Sequence, residues 1–328
     1  MKTIAFFNNK GGVGKTSLAY HIAFLFAGKG VKAVAADLDP QANLTTMFLD
    51  ERRIEDLWPD EPHSKTILGA IQPILDGVGD IGEPHLEMCG DNLGLIVGDL
   101  GLSNFEDKLS DAWPRCHDGD AAAFRCTTAF HRIMEQAAEK MGADLVLIDV
   151  GPNLGAINRA ALIAADHIVV PLAPDLFSLQ GLKNLGPTLR RWRKEWADRK
   201  PKAPDNVSCP SGTMEPVGYV LLQHAVRLDR PTRAYDRWVK KIPQVYRTSV
   251  LDTKSKTSVS PEKDPYLLSM LKHYRSLMPL AMEARKPIFD LLPADGAIGA
   301  HMDAVRDCRK DFEQLASRIA DKTGLSIP

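Results

Sequence analysis

Nine residues near the N-terminus, Asn9-Lys10-Gly11-Gly12-Val13-Gly14-Lys15-Thr16-Ser17, hold two lysines, three glycines and two hydroxyls. Phosphate groups are held by concave rings of backbone N–H, and glycine lets a chain turn tightly with no Cβ in the way. Gly11, Gly12 and Gly14 supply that freedom, so the run from Lys10 through Val13 to Ser17 reads as a phosphate cradle. Lys15 is spaced to reach the outer phosphates and the Thr16 hydroxyl to ligate Mg²⁺. The standard loop G-x-x-x-x-G-K-S/T has glycine where this chain has Asn9, and a second lysine, Lys10, sits inside the loop. Lys10 is either a solvated charge or an additional cation offsetting charge on a transferring phosphoryl group.

Three carboxylates end apolar runs elsewhere. Asp37 and Asp39 follow Val31–Ala36, and Asp149 follows Leu145–Ile148. Hydrolysis of a phosphoanhydride asks for alignment and charge compensation, so one carboxylate for water and one for the metal suffice. An unpaired carboxylate at the end of a buried strand is costly, and a metal-linked role explains Asp149 better than a core accident. Asp37 competes with Asp39, its other reading being a strand-terminal carboxylate that accepts backbone N–H groups.

The elements that must position these groups follow from periodicity. Short apolar runs bounded by turn residues, Thr3–Phe7, Val31–Ala36, Leu93–Val97, Leu145–Ile148, His167–Pro171 and Val217–Leu222, read as buried parallel strands. Thr16–Ala27, closed by Gly28 and Gly30, Ala121–Met141 and Asn158–Ala165 read as helices between them. Alternation of this kind predicts an α/β fold, a doubly wound, mostly parallel sheet with helices on both faces. Lys200–Pro216 reads as a surface connection and Asp252–Pro265 as a mobile polar loop. Asp264–Ala284 reads as an inserted helix carrying Leu267, Leu268, Leu271, Tyr274 and Leu277, and Ala297–Ala320 as a C-terminal helix. One elaborated domain over 1–328, with an insertion at about 248–284, is the expectation.

With these residues in view a resemblance becomes specific. Lys10–Ser17 resembles the deviant Walker A box of the ParA/MinD/Soj ATPase family, and Asp37-Leu38-Asp39-Pro40-Gln41-Ala42-Asn43-Leu44-Thr45 is similar to its switch I box. Leu145–Asp149 with Val150–Gly155 is similar to its Walker B strand and switch II, and Asp166–Leu182 to the strand and turn that follow. The resemblance implies a P-loop NTPase of the deviant Walker type that binds ATP with Mg²⁺. It implies that Lys10 reaches the ATP of the opposite subunit in a sandwich homodimer while Lys15 serves its own nucleotide. It further implies that Asp39 positions the attacking water and that Asp149 holds Mg²⁺ through water, with Thr16 and Asp39 beside the ion. Family members often carry Asn after the strand matching Val217–Leu222; here Gln223 and His224 stand there, so preference for ATP over GTP rests on the resemblance.

Composition sets the setting. With 44% apolar and 25% charged residues among 328, and no apolar run of membrane-spanning length, an ordinary globular chain is expected. Met1–Phe7 runs straight into the loop, leaving no room for a signal peptide, and Cys89, Cys116, Cys126, Cys209 and Cys308 are dispersed like reduced thiols. A cytoplasmic location, with no membrane partner, is the expectation. The net charge of -1 conceals segregation, Asp37–Asp120 being acidic and Gly181–Lys256 basic. Arg190, Arg191 and Arg193, then Arg227, Arg230, Arg233, Arg237, Lys240 and Lys241, are candidate contacts to phosphates of non-specific double-stranded DNA. Trp192 and Trp196, four apart, read as core packing. The resulting expectation is a partition or cargo-positioning ATPase, associated with the nucleoid and released from DNA when a ParB-like or adaptor protein stimulates hydrolysis. The alternative is an ATP switch docking on a protein complex through the insertion. A metal-handling reading would need paired cysteines, of which Cys116 and Cys126 are the nearest approach.

Overall fold

The structure, a computed structural model, describes residues 1–58, 63–222, 237–254, 259–272, 274 and 276–328. Eight strands form one sheet: β1 (Lys2–Phe6), β2 (Ala33–Asp37), β3 (Glu87–Gly90), β4 (Leu93–Ile96), β5 (Leu145–Asp149), β6 (His167–Leu172), β7 (Glu215–Leu222) and β8 (Leu267–Leu271). Their order is β3-β4-β2-β5-β1-β6-β7-β8, and every pair is parallel except β3 with β4.

Residues alternate across a strand, and the two sides of this sheet feed two apolar cores. Ile4 and Phe6 of β1 join Leu145 and Leu147 of β5 beneath α1 (Lys15–Gly28) and the C-terminal helix Ala300–Thr323. Ala5 and Phe7 join Val146 and Ile148 on the other face, under α5 (Phe105–Arg115), α7 (Ala129–Met141), α8 (Ala156–Ile163) and α9 (Leu176–Arg199). Strands buried on both faces need continuous apolar sequence, which is why the six runs were legible.

Two expectations change. Leu267–Leu271 is not helical: it is β8, pairing with β7 from Tyr219↔Leu267 to Leu222↔Leu271. The helix begins only at Met278 and ends at Ala284. A run of five residues with three leucines fits either period, and the open edge of β7, which offers unpaired N–H and C=O groups, decides for the strand. The stretch expected as an insertion thus contributes the sheet's last strand. Ala121–Met141 is two helices, α6 (Ala121–Thr127) and α7, meeting at Thr128, whose Oγ1 donates to the Phe124 carbonyl at 2.8 Å. Of the polar stretch Asp252–Pro265, residues 255–258 lie outside the described residues; near its end buried Asp264 accepts from Tyr219 Oη at 2.8 Å and from Arg247 Nη2 at 2.6 Å. Trp192 and Trp196 are buried as expected, Trp196 stacking on Trp113 at 6.1 Å and donating to the Pro210 carbonyl at 3.1 Å.

Candidate functional site

The loop between β1 and α1 stands at the C-terminal end of the central strands. Its conformation depends on Gly14, which sits at φ 74° as the residue before α1. The backbone angle demands glycine, and a Cβ there would also lie 2.7 Å from Leu222 Cδ1 at the end of β7, which would have to move. Buried Asn8 fixes the loop's start, donating to the Pro171 carbonyl at 2.7 Å and accepting from the Lys10 N–H at 3.1 Å. The N-terminus of α1 faces the loop with no side-chain cap and no acidic residue in its first turn, leaving its N–H groups to an anion.

Around this loop the fold gathers the three carboxylates. Asp37 and Asp149 are register partners on β2 and β5, and Phe6 of β1 pairs with Asp149. Lys15, only 7% exposed, has its ammonium pKa lowered by burial, while the nearby charges of Asp149 and Asp39 pull it back up. Asp149 is fully buried and neither of its oxygens finds a hydrogen-bond partner among the described residues. Burial, and after it the charge of Asp37, raises its pKa well above the ordinary carboxylate value. The Thr16 hydroxyl beside it pulls that value back down, and a buried carboxylate with this one neighbour is a group shaped for a cation or its water. No cluster of three His, Cys, Asp or Glu side chains forms a metal cage among the described residues.

Asp37 and Asp39 have different surroundings. Asp37 accepts from the Thr45 N–H and the Thr45 hydroxyl, both at 2.8 Å, and from the Asp39 N–H at 3.3 Å. Burial lifts its pKa to about 7 against those bonds. These bonds brace the turn between β2 and α2. Asp39 spends one oxygen on the Gln41 N–H at 3.0 Å, and that oxygen would lie 3.2 Å from a Cβ on Gly151 of the β5–α8 turn. The turn ends at Ala42, held at φ 50°, before the short helix α2 (Asn43–Phe48). A non-glycine residue there is strained, and strain of this kind collects at switch and active-site turns.

Lys10 does not point freely into solvent. Its ammonium pairs with Asp175 and lies 5.9 Å from the centre of the Phe177 ring. Asp175 caps α9, accepting from the Ser178 N–H at 2.8 Å, and the bond from Lys10 keeps its pKa low against the upward push of burial. Sequence reasoning missed Asp175; its signal was an Asp three residues before Ser178 at a helix start.

Beside the loop lies a cavity of about 260 Å³ bounded by Gly12, Ser17, Leu222, Tyr274, Ile288 and Phe312. Its lining is largely apolar. His21 sits below it, stacked on Phe312 at 4.9 Å, its Nδ1 2.7 Å from the Ser17 carbonyl and its Nε2 accepting from the Ile288 N–H at 3.2 Å. Burial lowers the His21 pKa to about 4, so the ring is neutral.

The basic candidates divide. Arg190 Nη1 donates to the carbonyls of Ser249 at 2.7 Å and Val250 at 3.2 Å, and Arg193 to those of Thr213 and Met214, each at 2.7 Å. The Arg190 guanidinium thereby holds the helical turn Tyr246–Val250 onto α9, and that of Arg193 holds the connection into β7. Arg191 is exposed on α9, and Arg237, Lys240 and Lys241 are exposed, with Arg237 and Lys241 flanking the Trp238 ring at 5.0 and 5.3 Å. Arg227, Arg230 and Arg233 lie outside the described residues, as do Gln223 and His224. Cys116 and Cys126 are buried in the core, Cys116 Sγ lying 3.3 Å from Thr127 Oγ1, so neither is offered to a metal at a surface.

Strand, glycine loop, helix and carboxylates at the strand ends define a P-loop nucleotide-binding protein of the deviant Walker type. A family profile described as an AAA domain matches residues 1–200. Protein IncC of Escherichia coli is 30% identical over 195 residues, covering 60% of this chain and 47% of IncC. The sporulation initiation inhibitor Soj of Bacillus subtilis is 27% identical over 194 residues, 59% of this chain and 66% of Soj. The match thus spans about half the length of IncC. Among solved structures, a Corynebacterium diphtheriae protein superposes with TM-score 0.71 at 24% identity over 98% of each chain. A plasmid partition protein of Borrelia burgdorferi bound to AMPPNP gives TM-score 0.60 at 19% identity, covering 98% of this chain and 99% of that one. These likenesses carry the fold along the whole chain. The chain belongs to the AAA-domain family, in the ParA/Soj group of P-loop ATPases.

Proposed function

We propose that this protein is an ATP switch of the partition type, in which ATP with Mg²⁺ closes a sandwich dimer that holds non-specific DNA until a partner triggers hydrolysis. The observation that carries this reading is the convergence of Lys10, Lys15, Asp39 and unpartnered Asp149 on one glycine loop. In it, Gly11–Ser17 wraps the phosphates, Lys15 neutralises the nucleotide of its own subunit, and Lys10 leaves Asp175 for the nucleotide of the other. Thr16 and Asp149, with Asp39 alongside, hold Mg²⁺, which when bound would offset charge on the phosphate oxygens. Asp39 keeps one carboxylate oxygen beyond its bond to Gln41 for the attacking water. The apolar cavity beside Gly12 receives the base. Arg191, Arg237, Lys240 and Lys241 supply sequence-independent contacts to DNA phosphates. A ParB-like or adaptor protein supplies the trigger, and the switch works in the cytoplasm on the nucleoid. Among the described residues no helix is long and apolar enough to cross a membrane.

The test is a gel shift on non-specific duplex with ATP, ADP or no nucleotide across a salt series. Binding should require ATP and fall steeply with salt. Lys15→Ala should lose nucleotide and DNA together, whereas Asp39→Ala should stay on DNA without turnover. Binding that ignores nucleotide, or its absence in every state, moves the switch onto a protein complex instead.

A further inference from the structure

The switch I turn and the segment after β8 are far apart in sequence, yet one side chain joins them. α2 follows the Asp39 turn directly, and its C-terminal carbonyls lack partners within the helix. Arg285 Nη1 donates to two carbonyls there, those of Thr46 at 3.2 Å and Leu49. Arg285 is itself the residue after the helix Met278–Ala284 and holds φ 50°. Glycine or asparagine would adopt that conformation with less strain, so the backbone does not call for arginine here. The guanidinium, whose planar fork and charge suit helix C-terminal carbonyls, explains its presence.

The packing under this clamp is incomplete. Tyr20, Met47, Met278, Ala281, Met282 and Arg285 line a pocket of about 180 Å³, open to the surface, between α2, α1 and the helix Met278–Ala284. An unfilled interface bridged by polar bonds to a side chain leaves the two helices room to shift as the clamp carries one with the other. The opposite end of α2 is held by Asp37 through Thr45, whose hydroxyl also accepts from the Gly98 N–H at 2.8 Å. Movement of α2 therefore reaches the helix Met278–Ala284 through Arg285, and that helix presents exposed Met282 to the surroundings.

We propose that Arg285 is a positioning residue that couples the switch I turn to the helix Met278–Ala284, making this helix a surface reporter of the nucleotide state. The inference rests on the reading of Asp37–Thr45 as the segment that responds to nucleotide.

The experiment is hydrogen–deuterium exchange on the full chain, without nucleotide and with Mg²⁺ plus ADP or AMPPNP, in wild type, Arg285→Gly and Arg285→Asn. Both substitutions tolerate the left-handed backbone, so helix and fold are retained while the clamp is lost. In wild type, AMPPNP should change exchange in residues 39–49 and 278–284 together. In the variants the change at 39–49 should persist while that at 278–284 falls to about a third or less. Full retention of both changes in a variant overturns the coupling, and so does a wild-type response confined to 39–49. A wild type in which AMPPNP binds and neither segment responds removes the switch reading itself, a result distinct from the other two.

Discussion

Replacing Asp149 by asparagine should make the nucleotide-free protein more stable, and the gain should depend on pH. In the folded chain Asp149 is fully buried with neither oxygen bonded among the described residues, opposite Asp37 on the next strand. At pH 8 the unfolded chain carries an ionised, hydrated Asp149, so folding must either bury that charge or take up a proton. Leaving one buried polar group unsatisfied costs about 1–3 kcal/mol, more for a charge. The asparagine side chain has similar shape and no charge but is still polar, so only the charge's share of that cost is relieved: for Asp149→Asn a gain of about 1–2 kcal/mol at pH 8 is expected, a rise in Tm of about 1.5–3 °C for a chain of this size. Because the folded pKa is raised, wild-type stability from this group is complete below the ordinary carboxylate pKa and is lost as pH rises toward the folded one. The gap between variant and wild type should therefore shrink between pH 8 and pH 5, by at most about 1.4 kcal/mol per unit. Thermal melts across that range measure it, alone and with Mg²⁺ and AMPPNP. Ligand at a hundred times its Kd adds about 2.7 kcal/mol to the wild type; the variant should gain less than half of that. A variant less stable than wild type at pH 8, or a gap that does not move with pH, would show that Asp149 is satisfied in solution and that its openness is no sign of a cation.

Other outcomes follow from single contacts. Asp175→Asn keeps the cap on the Ser178 N–H but removes the charge on Lys10, so ATP-dependent dimers should form at up to about fivefold lower concentration in sedimentation velocity. An unchanged midpoint would mean that the pair does not compete with phosphate. Gly14→Ala places a Cβ 2.7 Å from Leu222 Cδ1 at a left-handed φ, and should cost about 1–3 kcal/mol in denaturant melts along with most nucleotide affinity. Arg190→Gln breaks its bonds to Ser249 and Val250 and should lower Tm by several degrees, whereas Arg191→Glu should leave Tm unchanged and flatten the salt dependence of DNA binding by about one unit of slope. Equal effects of the two arginines on DNA alone would undo the distinction.

Much of this protein was legible in the order of its residues because the determining physics is local. A glycine loop between an apolar strand and a helix reads as a phosphate cradle wherever it occurs, and strands buried on both faces must be continuous apolar runs. The family resemblance lay in the same local boxes, from Lys10–Ser17 to Asp166–Leu182. What local pattern leaves open was decided by the tertiary structure. The leucines at 267, 268 and 271 fit a helix until the unpaired edge of β7 makes them a strand. Arg190 and Arg193 bond to backbone carbonyls 59 and 20 positions away, which no count of basic residues reveals. Asp37 and Asp39 lie two residues apart at one strand end, and only the fold shows that the bonds from Thr45 go to Asp37. The pairing of Lys10 with Asp175 and the reach of Arg285 to α2 join residues more than 160 positions apart. Sequence sets which groups can do chemistry, and only the folded chain, through burial and long-range hydrogen bonds, sets which of them are free to do it.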